Sequence, residues 1–98
     1  MNTISTALSG MNAASLELAT SAHNIANALT PGFRRQSVAR QATEGGGVSA
    51  AVTQAVVPGE SLAEDIVAQM SASYAFKANL KVLKTQDEVL GSLLDIRA

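Results

Sequence analysis

Residues 4 to 32 read ISTALSGMNAASLELATSAHNIANALTPG, and their spacing decides the fold. Ile4, Leu8, Met11, Ser15, Leu18, Ala22, Ile25 and Leu29 recur at alternating intervals of four and three residues. That is the heptad seam of a helix lying along another helix. It stops at Thr30-Pro31-Gly32, because proline disfavours helical geometry in the residue before it and Pro-Gly suits the centre of a type II turn. About 26 residues of helix extend roughly 39 Å.

Beyond the turn the chain changes character. Gln36 to Ala42 and Val48 to Val57 flank Glu44-Gly45-Gly46-Gly47, and Val48, Ala50, Val52 and Val56 fall on one side of a strand. A β-hairpin with a glycine turn is expected. No Lys-Ser/Thr pair follows the glycines and no helix opens there, so a Walker-type phosphate cradle is excluded. Pro58-Gly59 then breaks the chain. Ser61 and Glu64 have the spacing of a capping box, and Glu64 and Asp65 sit where the helix dipole favours negative charge. Leu62, Ile66, Ser73, Phe76, Leu80, Leu83, Leu90 and Leu94 carry a second heptad rhythm, interrupted by Asp87. About 35 residues of helix reach roughly 52 Å. The expected fold is mainly α: two long antiparallel coiled-coil terminal helices joined by a short β-hairpin segment. The 98 residues form a single domain, divided into 1–32, 33–60 and 61–98.

The core is thin by composition. Of the 46 residues behind the 47% hydrophobic figure, 18 are alanine, and only Phe33, Tyr74 and Phe76 are aromatic. A net charge of −1 makes no electrostatic case for nucleic acid or an anionic membrane surface. Cysteine is absent, which removes disulfides, thiolate metal sites and a cysteine nucleophile. Residues 1–16 lack the basic and apolar blocks of a secretory signal, and no stretch is long and apolar enough to span a bilayer. The chain is expected either to stay in the cytosol or to leave by a route needing no cleaved signal.

The helix surfaces carry the functional information. From Met1 to Phe33 the only charged side chain is Glu17, whereas a solvated helix usually carries Lys, Arg and Glu outward. Small neutral polar groups can be buried between chains, where charges would need pairing. The first helix is therefore expected to be enclosed by other subunits; the plainer reading is an Ala/Ser-rich helix that happens to lack charge. The second helix has a further stripe, Val67, Met70, Tyr74, Val82, Val89, Leu93 and Ile96, which one partner helix cannot also cover. Gly10 and Gly91 either admit close neighbours or are tolerated neutrally. His23 has no second ligand at helical spacing, and adjacent Asp87 and Glu88 do not suggest an acid/base pair. Lys77, Lys81 and Lys84 share one face, as a solvated surface or a docking strip for an acidic neighbour. No catalytic, cofactor or metal site is expected.

Two blocks make the chain resemble a known family. Ala7-Leu8-Ser9-Gly10-Met11 and Ser21-Ala22-His23-Asn24-Ile25-Ala26-Asn27-Ala28-Leu29-Thr30-Pro31-Gly32-Phe33-Arg34-Arg35 resemble the N-terminal signature of bacterial flagellar axial proteins, the rod and hook subunits. Ala75-Phe76-Lys77-Ala78-Asn79-Leu80-Lys81-Val82-Leu83-Lys84-Thr85-Gln86-Asp87-Glu88-Val89-Leu90 resembles the matching C-terminal signature. They stand in the right order and at the right ends of the chain. The resemblance implies a structural subunit of the basal-body rod, whose terminal helices pair as a coiled coil and line a hollow helical axial structure. It implies as partners other copies of the chain, sister rod and hook proteins, and the flagellar type III export apparatus. The implied location is the periplasmic rod, reached without a cleaved signal peptide, with no cofactor.

The subunit-interface and packing residues carried over are Ile4, Leu8, Met11, Leu18, Asn24, Ile25, Asn27, Pro31, Gly32, Phe33, Phe76, Asn79, Leu80, Leu83, Val89, Leu90 and Leu93. Among them Leu18, Ile25, Leu80 and Leu83 are expected to join the two helices, with Val82, Val89 and Leu93 facing other subunits. His23 departs from the family's usual Asn, and Phe76 from its frequent Tyr. The middle is far shorter than the domains that relatives commonly insert, which suits a minimal rod-type subunit. The alternative is a soluble helical-hairpin adaptor or export chaperone for such subunits, against which the 15% content of charged residues argues.

Overall fold

The computed structural model describes residues 3–97. Its elements run helix, strand, strand, helix: α1 (Thr3–Ala26), β1 (Gln36–Ala42), β2 (Val48–Gln54) and α2 (Leu62–Arg97). α1 lies in the middle, with α2 along one side and the hairpin along the other. The body measures 63 × 25 × 13 Å, and α2, about 54 Å long, accounts for most of its length.

The helices run antiparallel in one constant register. Asn24 meets Asp65, and fourteen residues earlier on α1 Gly10 meets Asn79, fourteen residues later on α2. A Cβ on Gly10 would stand 2.9 Å from the Asn79 amide, so this glycine does admit a close neighbour. Nothing lies within 4 Å of the corresponding point on Gly91.

The side chains at this contact are small. Ala7, Ala14 and Ser21 on α1 and Ala72 on α2 are buried, and no large side chain is fully buried among the described residues. The observed seam is Ala7, Gly10, Ala14, Glu17, Ser21 and Asn24 against Asp65, Ala68, Ala72, Ala75 and Asn79, each set spaced three and four apart. The sequence points instead to Leu8, Met11, Leu18 and Ile25 against Ile66, Ser73 and Leu80, which is the same rhythm displaced by one residue on both helices. Leu18, Ile25 and Leu83 are half-buried on the flanks of the contact, and Leu80 stays 40% exposed. The physical reason is backbone approach. Ala, Gly and Ser let the axes come close and desolvate the backbone between them, while the bulkier stripe is rotated about 100° away.

α1 ends at Ala26, a turn earlier than the Pro-Gly pair. The Asn27 side-chain amide donates 2.9 Å to the His23 carbonyl, and the Thr30 hydroxyl donates 3.2 Å to Asn27 Oδ1. These bonds tie the last helical turn to the loop that follows, the His23 carbonyl also accepting from the Asn27 N–H at 3.1 Å. Thr30 to Phe33 then form the expected turn, with Phe33 N–H 3.2 Å from the Thr30 carbonyl and Gly32 at φ 73°.

The hairpin is in the expected place, although β2 closes at Gln54. Its register pairs Gln36 with Gln54, Val38 with Val52 and Ala42 with Val48. Gly45, Gly46 and Gly47 all take positive φ, between 84° and 99°, which only glycine adopts at no steric cost. Thr43 clamps the loop, its N–H donating to the Gly47 carbonyl at 3.1 Å and its hydroxyl to that of Gly46 at 2.6 Å. One face of the hairpin rests on α1 through Val38, Val48 and Ala50, all half-buried. The Val48 N–H adds a 3.1 Å bond to Ser9 Oγ, and Arg40 pairs with Glu17.

The capping box does not form. Glu60 Oε2 instead accepts from the Leu62 N–H at 3.2 Å, and Glu64 turns outward to within 3.6 Å of Arg35. A nearby guanidinium outcompetes the neutral backbone N–H for that carboxylate.

Candidate assembly surface

Three elements meet at one polar knot. The Asn24 side chain imitates a strand neighbour: its Oδ1 accepts from the Gln36 N–H at 2.9 Å and its Nδ2 donates to the Gln36 carbonyl at 2.7 Å. The same Nδ2 lies 3.2 Å from Asp65 Oδ1. Asp65 is 3% exposed and receives Arg35 through two nitrogens, at 2.5 and 3.3 Å. The Asp65 hydrogen bond raises the Arg35 pKa above its ordinary value, against the opposing pull of burial; the charges of Asp65, Glu64 and Glu60 add to the rise. The knot fixes the hairpin root to α1 and the start of α2 at once. Asn24 is a site residue named from the sequence. Arg35 and Asp65 are not, because a buried acid in a first helical turn reads like any dipole-complementing acid.

Above the knot the chain's surface is unusually free of charge. Ile4, Ser5, Leu8, Asn12, Ser15, Ala19, Ala22 and Ala26 form an exposed stripe along the whole of α1. The one charge on this helix, Glu17, is half-buried and neutralised by Arg40. The hairpin therefore supplies part of the cover that charge-poor α1 demands, and the stripe remains open. Leu8 keeps 46% of its surface exposed.

α2 presents the larger apolar side chains. Val67, Met70 and Tyr74 line one edge, with Tyr74 78% exposed, and together with Leu18 the last two border an open groove. Phe76 and Asn79 are half-buried on the side facing α1. Continued to its end, the constant register sets Thr3 level with Gln86, so α2 runs past α1. Val89, Leu90 and Leu93 lie on that overhang and are half exposed or more. Pro31 and Gly32 are exposed at the opposite end, where Phe33 stacks edge-on to His23 at 5.4 Å between ring centroids. Thus the structure spreads the seventeen sequence-named residues over the open α1 stripe, the α1–α2 contact and its flanks, the knot, the turn and the α2 overhang, rather than gathering them into one patch. No helix among the described residues is long and apolar enough to cross a membrane.

This arrangement stores apolar surface instead of burying it, which is how a chain looks when part of its core is completed by neighbours. No curated protein matches the chain. Two family models do, one at each end. That for Flagella basal body rod protein matches residues 4–34, covering α1 and the Pro-Gly turn. That for Flagellar basal body rod FlgEFG protein C-terminal matches residues 61–96, which is α2. With the two signatures in family order, folded against each other and separated only by a hairpin, the chain belongs to the flagellar basal-body rod proteins, a family of structural components.

Proposed function

We propose that this chain is a minimal rod subunit that polymerises through its terminal helices into the hollow axial structure of the basal body. It is delivered by the flagellar type III export apparatus without a cleaved signal and stands in the periplasmic rod beside sister rod and hook proteins. The observation that carries this reading is the division of labour on the helices. Small residues make the intramolecular contact, while a charge-free α1 stripe and the large apolar residues of α2 stay open. In the polymer the helix pairs act as coiled coils, each subunit covering its neighbours' stripes.

Leu8→Glu tests it. Leu8 lies on the open stripe, so a carboxylate there is solvated in the free chain but desolvated in an assembly. The variant should be secreted with its helix content unchanged, be missing from isolated basal bodies, and leave cells non-motile. Normal swimming by such cells refutes the assembly role of this stripe.

A further inference from the structure

The hairpin is fastened to α1 and α2 unevenly along its length. It lies beside α1 from Asn24, which holds Gln36, to Ser9, which holds Val48. At its root the fastening is dense and dry. Asn24 makes two bonds to Gln36, and Arg35 makes two to Asp65, whose side chain is 4% exposed. Toward the tip the polar contacts are weaker in kind. The Ser9 hydroxyl, which donates to the Thr6 carbonyl at 2.8 Å, accepts from the Val48 N–H at 3.1 Å. The Arg40–Glu17 pair keeps 44% and 25% of its side chains exposed, so water screens it. Between root and tip the ladder crosses Ala39 and Ala51, both exposed, a pair that adds little side-chain cohesion. Beneath the hairpin, Ser9, Ala13, Leu16, Thr20 and Asn24 recur at intervals of three and four and share one side of α1. Leu16 is the one large apolar side chain among them, and Val48 and Ala50 rest on this side only half-buried.

We infer that the hairpin is a strap, fixed at its root and releasable over residues 39–51. Closed, it covers Ser9, Ala13 and Leu16. Lifted, it uncovers them while the knot of Asn24, Arg35 and Asp65 stays shut. The flex point is the Ala39–Ala51 pair, immediately beyond Val38, whose half-buried side chain is the last hold of the root. Closed is the resting position, because a two-stranded hairpin standing free is marginal in water. Opening costs little: among the described contacts it gives up a hydroxyl hydrogen bond, a screened ion pair and two half-buried side chains. The lifted chain presents a further side of α1, lined by small side chains like the side that meets α2. Strap position thus decides how much of that helix is on offer. It is a property of the free chain and does not depend on the rod reading.

The chain has no cysteine, so paired substitutions carry spin labels cleanly. Glu44→Cys at the tip with Asn12→Cys on α1 reports the strap, and Ser37→Cys with Ala22→Cys reports the root; all four positions are exposed. Dipolar distance measurement on the purified full chain should give one separation for the root pair. For the tip pair a short separation should dominate, with a minor population up to about 20 Å longer, the reach of six strand residues. Ser9→Ala with Arg40→Gln removes these two distal holds and should raise the long-to-short ratio about tenfold, with the root distance and helix content unchanged. A single short tip distance in both the wild type and this variant overturns the inference. So does a root distance that lengthens together with the tip, which marks release of the whole hairpin instead of its distal half. Motility and basal-body incorporation do not enter these readouts, so either result leaves the rod reading to its own test.

Discussion

Arg35 and Asn24 hold the fold by different means, and their removal should show it. Arg35→Met deletes the charge that Asp65 receives while keeping much of the bulk of the side chain. Asp65 then remains buried with only the Asn24 amide, and breaking a buried pair from one side costs about 3–5 kcal/mol. Arg35 keeps 24% of its side chain exposed, so the lower end, about 3 kcal/mol in a urea titration, is expected. A loss below about 1 kcal/mol contradicts the knot. Asn24→Ala orphans the Gln36 N–H and carbonyl, costing about 1–3 kcal/mol. Both residues act on Asp65, so the double variant should lose less than the two singles together. The Arg35 shift is upward, so its contribution is complete below the ordinary arginine value and fades only when pH climbs through the raised one. The stability gap between wild type and Arg35→Met should therefore hold steady from neutral to mildly alkaline pH.

At the scale of elements, the seam exposes the limits of a hydrophobic pattern. Helix existence, the Thr30-Pro31-Gly32 turn and the hairpin around three glycines were all legible, because periodicity, Pro-Gly chemistry and positive-φ glycines are local signals. The face that α1 turns to α2 was not. A pattern read by size selects Leu8, Leu18 and Leu80, but axes that approach closely want Ala14 and Ala72 between them. The large stripe on α1 lies beside that contact instead, half-buried at Leu18 and Ile25 and open at Leu8, and one sequence does not say which stripe belongs inside. The same blindness hid Arg35 and Asp65, which join only after the hairpin folds back. This assignment can be checked by size. Ala72→Leu must force the helices apart and should cost about 1–3 kcal/mol. Leu80→Ala removes a side chain still 40% exposed, so its cost should fall well short of the 2–5 kcal/mol of a buried leucine. Should Leu80→Ala prove the more damaging by thermal denaturation, the small-residue seam is misassigned.

For the molecule as a whole, order should be graded along the 63 Å axis rather than uniform. Stability follows local burial, and the buried residues cluster where α1, α2 and the hairpin overlap. Ala7, Ala14, Ser21 and Ala72 lie there, with the knot of Asn24, Asp65 and Arg35 at one end. Past Gln86 the helix meets no other element among the described residues, and a single unpaired helix of about 11 residues is marginal in water. Amide exchange on the dilute protein should therefore be slowest over residues 10–24 and 65–79. Protection should fall steadily along α2 and approach that of an unstructured peptide from Val89 to Ile96. Slow exchange across 89–96 in the dilute chain would mean that the overhang is stable by itself.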